Sequence, residues 1–189
     1  MARRLRGLFL GSPALVALAA PACAERAGPA AGDTAARAAP ALLPVDAWRP
    51  VDADAGPFAD PPTAAIYCSE LAWRVEPQAF SAPMFEVRSD LCLWGVYAQV
   101  LDEDLVEGDV LALTFAWGET WAAAPTTAQI GLAVGDELLW SEAVPVPGPA
   151  GEDELRLPVR APHAAGEQAT LLVSNHGTNT WAFSEGVRE

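Results

Sequence analysis

From about residue 64 onward, apolar and polar residues alternate in short runs separated by Gly, Pro, Asp and Asn. Leu71, Trp73 and Val75 alternate with Ala72, Arg74 and Glu76; Leu111, Leu113, Phe115 and Trp117 with Ala112, Thr114 and Ala116; Leu155, Leu157 and Val159 with Arg156, Pro158 and Arg160. Side chains of a strand point to opposite faces in turn, so each run predicts a strand with one apolar face. Such a face must be covered, which calls for a second layer. The run "LCLWGVYAQV" (91–100) is apolar on both faces and predicts an interior strand. The stretch "TAQIGLAVGDELLWSEAV" (127–144) predicts a hairpin turning at Gly135-Asp136. A three-residue turn there would set Val134 beside Leu138 and Leu132 beside Trp140. No helical period survives for three turns. The predicted fold is all-β: a two-sheet antiparallel β-sandwich of about eight to ten strands over residues 63–189. The Cys–Trp–Cys spacing of an immunoglobulin domain is absent, which favours a jelly-roll topology.

The N-terminal third has a different texture. Arg3, Arg4 and Arg6 precede the apolar run Leu8 to Ala20, and "APACAE" follows, the layout of an export signal over residues 1–24. The run is too short for a membrane-spanning helix, which needs ~20 apolar residues. Two processing schemes fit. Ala22-Cys23-Ala24 suits signal peptidase, leaving Glu25 as the new terminus; alternatively Cys23 carries lipid and tethers the protein to a membrane surface. Either predicts an exported protein, whether periplasmic, secreted or an outer-membrane lipoprotein. Residues 25–62 hold 12 Ala, 7 Pro and 3 Gly, so they predict a linker or arm with little to bury. Within it, "LLPVDAWRPVD" (42–52) carries enough apolar residues to lie against the domain, as an edge strand that tolerates Pro44 and Pro50.

Without residues 1–24 the chain keeps 25 acidic against 8 basic residues and has no lysine. There is no basic stripe to neutralise phosphates, so nucleic acid is not an expected partner, and contact with a membrane is expected only through a lipid on Cys23. Of the three cysteines, Cys68 and Cys92 remain as a pair. In an oxidising compartment they are expected to form a disulfide, worth roughly 3 kcal/mol on the chain-entropy model; two buried thiols are the alternative.

Three places carry candidate chemistry. "SNHGTNTW" (174–181) lies between the last two predicted strands. A hairpin loop accounts for residues 175–179 through their tolerance of turn conformations. The functional alternative makes Asn175, His176 and Asn179 polar contacts for a ligand, with Trp181 as an apolar platform. "WGETW" (117–121) puts Trp121 in a loop beside Glu119. That indole either stacks on a ligand ring while Glu119 accepts from a ligand hydroxyl, or folds back as a lid on the core. "DEDLVEGD" (102–109) contains Asp102, Glu103, Asp104, Glu107 and Asp109. Calcium is the cation such a set would hold, although EF-hand spacing is missing and a solvated turn explains the residues equally well. No other cofactor is expected. His163, in "APHAAGE", is expected to be exposed and idle. HExxH, GxSxG, CxxC and phosphate-binding glycine loops are absent, so no catalytic residue is assigned.

The closing "VSNHGTNTWAF", after a β-rich domain and an export signal, resembles exported bacterial β-sandwich proteins and lipoproteins of unassigned function. It also looks like the last strands of carbohydrate-binding-module jelly rolls. That resemblance implies a sugar held by Asn175, Asn179 and Trp181. The leading expectation is therefore a non-catalytic binding module, with a glycan as its partner at the cell surface or in the periplasm. A tethered structural or assembly component with a protein partner is the alternative, and a carboxylate-based glycosidase is a third.

Overall fold

The computed structural model describes residues 41–52, 54–58, 68–77, 82–174 and 177–189. Among these residues are eleven strands and no helix. In chain order they are β1 (Arg49–Pro50), β2 (Trp73–Glu76), β3 (Met84–Arg88), β4 (Trp94–Val100), β5 (Val110–Trp117), β6 (Thr126–Val134), β7 (Glu137–Val146), β8 (Gly151–Pro158), β9 (Gln168–Ser174), β10 (Thr180–Phe183) and β11 (Val187–Arg188). One sheet runs β1-β4-β9-β6-β7. The other runs β2-β3-β10-β5-β8, with β11 continuing β10 along the same side of β5. Every pairing is antiparallel. The chain changes sheet at nearly every connection between β3 and β10, which makes the sandwich a jelly roll.

The alternating residues close the gap between the sheets. Phe85, Tyr97, Phe115, Ile130, Leu132, Leu171, Val173, Trp181 and Phe183 form one core. Phe115 stacks on Phe183 (5.1 Å between ring centres) and on Trp181 (5.9 Å). Burial of each such side chain is worth about 1.5–3 kcal/mol. As its two-faced apolar pattern predicts, β4 is buried from Trp94 to Gln99. Tyr97 faces the core, while Trp94 and Val96 pack on the opposite face with Leu172, Val51 and Phe58. Leu42, Leu43 and Trp48 are buried as well, and Arg49–Pro50 pair with the edge of β4. Cys68 and Cys92 form a disulfide across 24 residues. The Tyr97 hydroxyl lies 3.4 Å from Cys68 Sγ and 3.7 Å from Cys92 Sγ, and burial raises its pKa.

Three sequence expectations are corrected. Leu71 is 78% exposed, in the turn before β2, so that strand starts at Trp73. The β6–β7 hairpin turns on two residues, Gly135 (φ +53°) and Asp136, which sets Val134 opposite Glu137. A register shift between Leu132 and Ala133 then brings Leu132 opposite Trp140, as expected. Finally, the link after Ser174 is not a hairpin. β9 belongs to the first sheet and β10 to the second, so this segment crosses between layers.

The free edges of β7 and β8 carry half-buried carboxylates, Glu142 and Asp153. Burial pushes the Glu142 carboxyl up, and the charge of Asp153 adds to the effect. Charges turned inward on an edge oppose pairing with another strand.

Candidate functional site

Three chain segments meet at the end of the sandwich where the chain crosses from β9 to β10. The first is the β3–β4 turn, Arg88-Ser89-Asp90. The second leaves β5 as Gly118-Glu119-Thr120-Trp121. The third is the crossing itself, Gly177-Thr178-Asn179. Ser89 joins the first to the third: its N–H donates to Asn179 O (2.9 Å), and its one hydroxyl proton is shared between Asn179 O (2.9 Å) and Gly177 O (3.1 Å). Gly118 N–H donates to Thr180 O at 3.3 Å. Thr120 is anchored separately, by paired main-chain bonds to Gly148 (2.9 and 3.2 Å).

Between these segments lies an open cleft of about 310 Å³, lined by Arg88, Asp90, Gly118, Glu119, Thr178 and Asn179. Arg88 Nη2 donates to Asp90 Oδ2 at 2.8 Å, so Asp90 offsets part of that guanidinium's charge. Glu119 is exposed. Asn179 is only 8% exposed, yet neither its Oδ1 nor its Nδ2 has a hydrogen-bond partner. A buried amide left unpaired costs about 1–3 kcal/mol, so the observation needs a physical cause. Asn179 Oδ1 comes within 3.2 Å of where a Cβ on residue 118 would stand, an approach that Gly118 leaves open. Trp121 stands beside the cleft, its main chain paired with Thr178 and 64% of its surface exposed.

Of the residues singled out from sequence, Glu119, Asn179 and Trp121 are brought to this one end. Trp181 is not: it is fully buried and stacked on Phe115, so it offers no face to a ligand. Its indole N–H is also without a partner. Its spacing of two from Phe183 was the sequence signal for a core position. Asn175, His176 and Cys23 lie outside the described residues.

The carboxylates of the acidic run turn to main-chain amides and to Arg188 rather than to one another. Asp104 Oδ1 accepts from Ala165 N (2.7 Å), and Asp109 Oδ2 accepts from Val106 N (3.0 Å). Glu103 and Asp109 each lie 3.4 Å from the Arg188 guanidinium. Among the described residues, no three His, Cys, Asp or Glu side chains gather to hold a metal ion, and that includes Asp102, Asp104, Glu107 and Asp109.

His163 departs most from expectation. It is 5% exposed rather than solvated, because its main chain pairs with Leu105 while its ring lies against Glu137 at the start of β7. Its Nε2 lies 2.9 Å from Glu137 Oε2 and its Nδ1 3.1 Å from Glu167 Oε1. Burial lowers the imidazole pKa, but hydrogen bonds and charge from Glu137 and Glu167 outweigh it and leave the pKa above its usual value. Burial likewise raises Glu137, and hydrogen bonds from His163 and from the Arg160 and Ala161 amides more than reverse that. With each ring nitrogen held by a different carboxylate, the cluster is a clasp rather than a ligand site.

No protein-family model and no curated protein matches the chain. Among solved structures it is similar to the C-terminal CBM6 module of LamC, a marine laminarinase from Zobellia galactanivorans, at 12% identity over 72% of this chain and 97% of that one (TM-score 0.38). It is similar to TmCBM61, solved with β-1,4-galactotriose, at 13% identity over 77% and 90% (TM-score 0.42). It is also similar to the K1 cleaved adhesin domain of Lys-gingipain from Porphyromonas gingivalis, at 12% identity over 76% and 90% (TM-score 0.44).

Proposed function

We propose that this chain is an exported, non-catalytic binding module that takes a glycan in the cleft formed by Arg88, Asp90, Glu119, Thr178 and Asn179. The observation that carries the reading is the Asn179 amide, buried in the cleft wall with its donor and its acceptor both unpaired. A sugar ring presents hydroxyls that donate and accept from neighbouring positions, which is what an unpaired carboxamide lacks; both amide atoms are closed to solvent, so the contact requires the Asn179 side chain to turn outward into the cleft. Trp121 supplies the second half of a sugar site: a rigid apolar surface beside a few fixed polar groups.

Hydrolysis of a glycosidic bond ordinarily uses two carboxyl groups. Among the described residues two line this cleft, and Asp90 is paired with Arg88, which leaves Glu119 without an ion-pair partner. That favours holding a glycan over cutting it. Export, with or without a lipid on Cys23, would place the module where polysaccharides are met. The test is a glycan array probed with the wild-type protein and with Trp121→Ala. Retention of a discrete set of glycans by the wild type, and its loss in the variant, is the expected result. No binding, or binding indifferent to Trp121, overturns the assignment.

A further inference from the structure

The charges around the cleft are unequal. It is lined by one cation, Arg88, and two carboxylates, Asp90 and Glu119. Arg88 and Asp90 pair at 2.8 Å, which leaves the lining with one carboxylate in excess. Glu119 is exposed on the same cleft, with no ion-pair partner among the described residues. The chain as a whole carries a formal net charge of −14 and has no lysine. A ligand entering here therefore meets hydrogen-bonding groups and, among the described residues, one carboxylate without an ion-pair partner and no cation besides Arg88, which already faces Asp90.

We propose that Glu119 makes this cleft a charge filter, which admits neutral glycans and turns away those built from uronic acids. The inference rests on the glycan reading and adds a ligand class to it. A neutral sugar replaces its hydroxyl–water contacts with Thr178 and an outward-turned Asn179 and pays no charge penalty. A uronate brings its carboxylate close to Glu119, and like charges a few ångströms apart at a partly solvated surface repel enough to weaken binding on the order of tenfold. The negative field of the whole chain adds a longer-range, salt-sensitive part.

The experiment uses matched oligosaccharides that differ only at the sixth carbon: gluco-, manno- and galacto-oligomers, each against its uronate counterpart of equal length. Affinities are measured at low and high NaCl for the wild type and for Glu119→Gln, a surface change of nearly constant shape. The expected result is a neutral-over-uronate preference on the order of tenfold at low salt, which narrows in high salt and narrows again in Glu119→Gln. Neutral affinities are insensitive to salt, and Glu119→Gln is read from the ratio of neutral to uronate affinity rather than from either affinity alone. Equal binding of both classes, with both lost in Trp121→Ala, overturns the filter and leaves the glycan site standing. So does a preference that Glu119→Gln fails to change. Absence of binding to every oligomer overturns the glycan reading and the filter together.

Discussion

Trp121 and Thr178 exchange two main-chain hydrogen bonds, Trp121 N to Thr178 O at 3.2 Å and Thr178 N to Trp121 O at 2.8 Å. This single bridge ties the segment leaving β5 to the crossing between β9 and β10. The exposed Trp121 is thereby tied to Thr178, which lines the cleft next to Asn179. Gly177, next in the chain to Thr178, makes the bridge possible. A Cβ there would run into the carbonyl oxygen of Trp121 and come within 2.8 Å of Val146 Cγ1. Gly177→Ala is accordingly expected to lose about 1–3 kcal/mol of stability by thermal or urea denaturation, together with glycan binding. A variant that melts with the wild type and binds normally would show that the bridge positions nothing.

Asn179 offers a test that separates function from stability. Most buried asparagines anchor a loop, and truncating them leaves a partner unsatisfied. Here neither amide atom has a partner, so Asn179→Ala removes an unpaired buried group whose cost is about 1–3 kcal/mol. Against that stands the packing lost with the side chain. The expected outcome is a melting temperature equal to or above that of the wild type, with weakened binding. A clear fall in stability would mean that Asn179 holds the loop.

The His163 clasp predicts a pH signature. The folded-state pKa of His163 lies above its ordinary 6.5, so its contribution is complete below 6.5 and disappears as the pH climbs through the raised value. Glu137 behaves in the opposite sense. Its folded pKa lies below the ordinary 4.5, so its contribution is complete above 4.5 and disappears as the pH falls through the lowered value. Both act together between 4.5 and 6.5. Removing one partner of a buried ion pair costs roughly 3 kcal/mol. Melting curves of wild type and His163→Gln are therefore expected to differ most between pH 4.5 and 6.5 and to converge as the solution becomes alkaline. A gap that stays constant with pH would contradict an ionised clasp.

These residues also show which kinds of information a sequence carries. Alternation along β5 and β8 gave the buried face of each strand directly, because burial of one face is a local pattern. It could not say which sheet a strand joins. The segment around Asn179 therefore reads as a hairpin from sequence and is a crossover in the structure. The turn at Gly135-Asp136 was legible in place but not in length, since the shift between Leu132 and Ala133 decides the register. Trp121 and Trp181 are the same residue in neighbouring loops and strands, and only the two-residue spacing of Trp181 from Phe183 marked the buried one. His163 lay hidden because one of its partners, Glu137, is 26 residues away and brought close only by the fold. The unpaired state of Asn179 has no local sequence signal at all.

The most direct measurement is a nitrogen–proton NMR titration with whichever neutral oligosaccharide the array selects. The Trp121 indole and the Asn179 side-chain amide report the two halves of the cleft, and the buried Trp181 indole serves as an internal control. The first two signals are expected to move together and saturate while the third stays in place. Shifts clustered on a sheet face, with Trp121 and Asn179 unmoved, would contradict it.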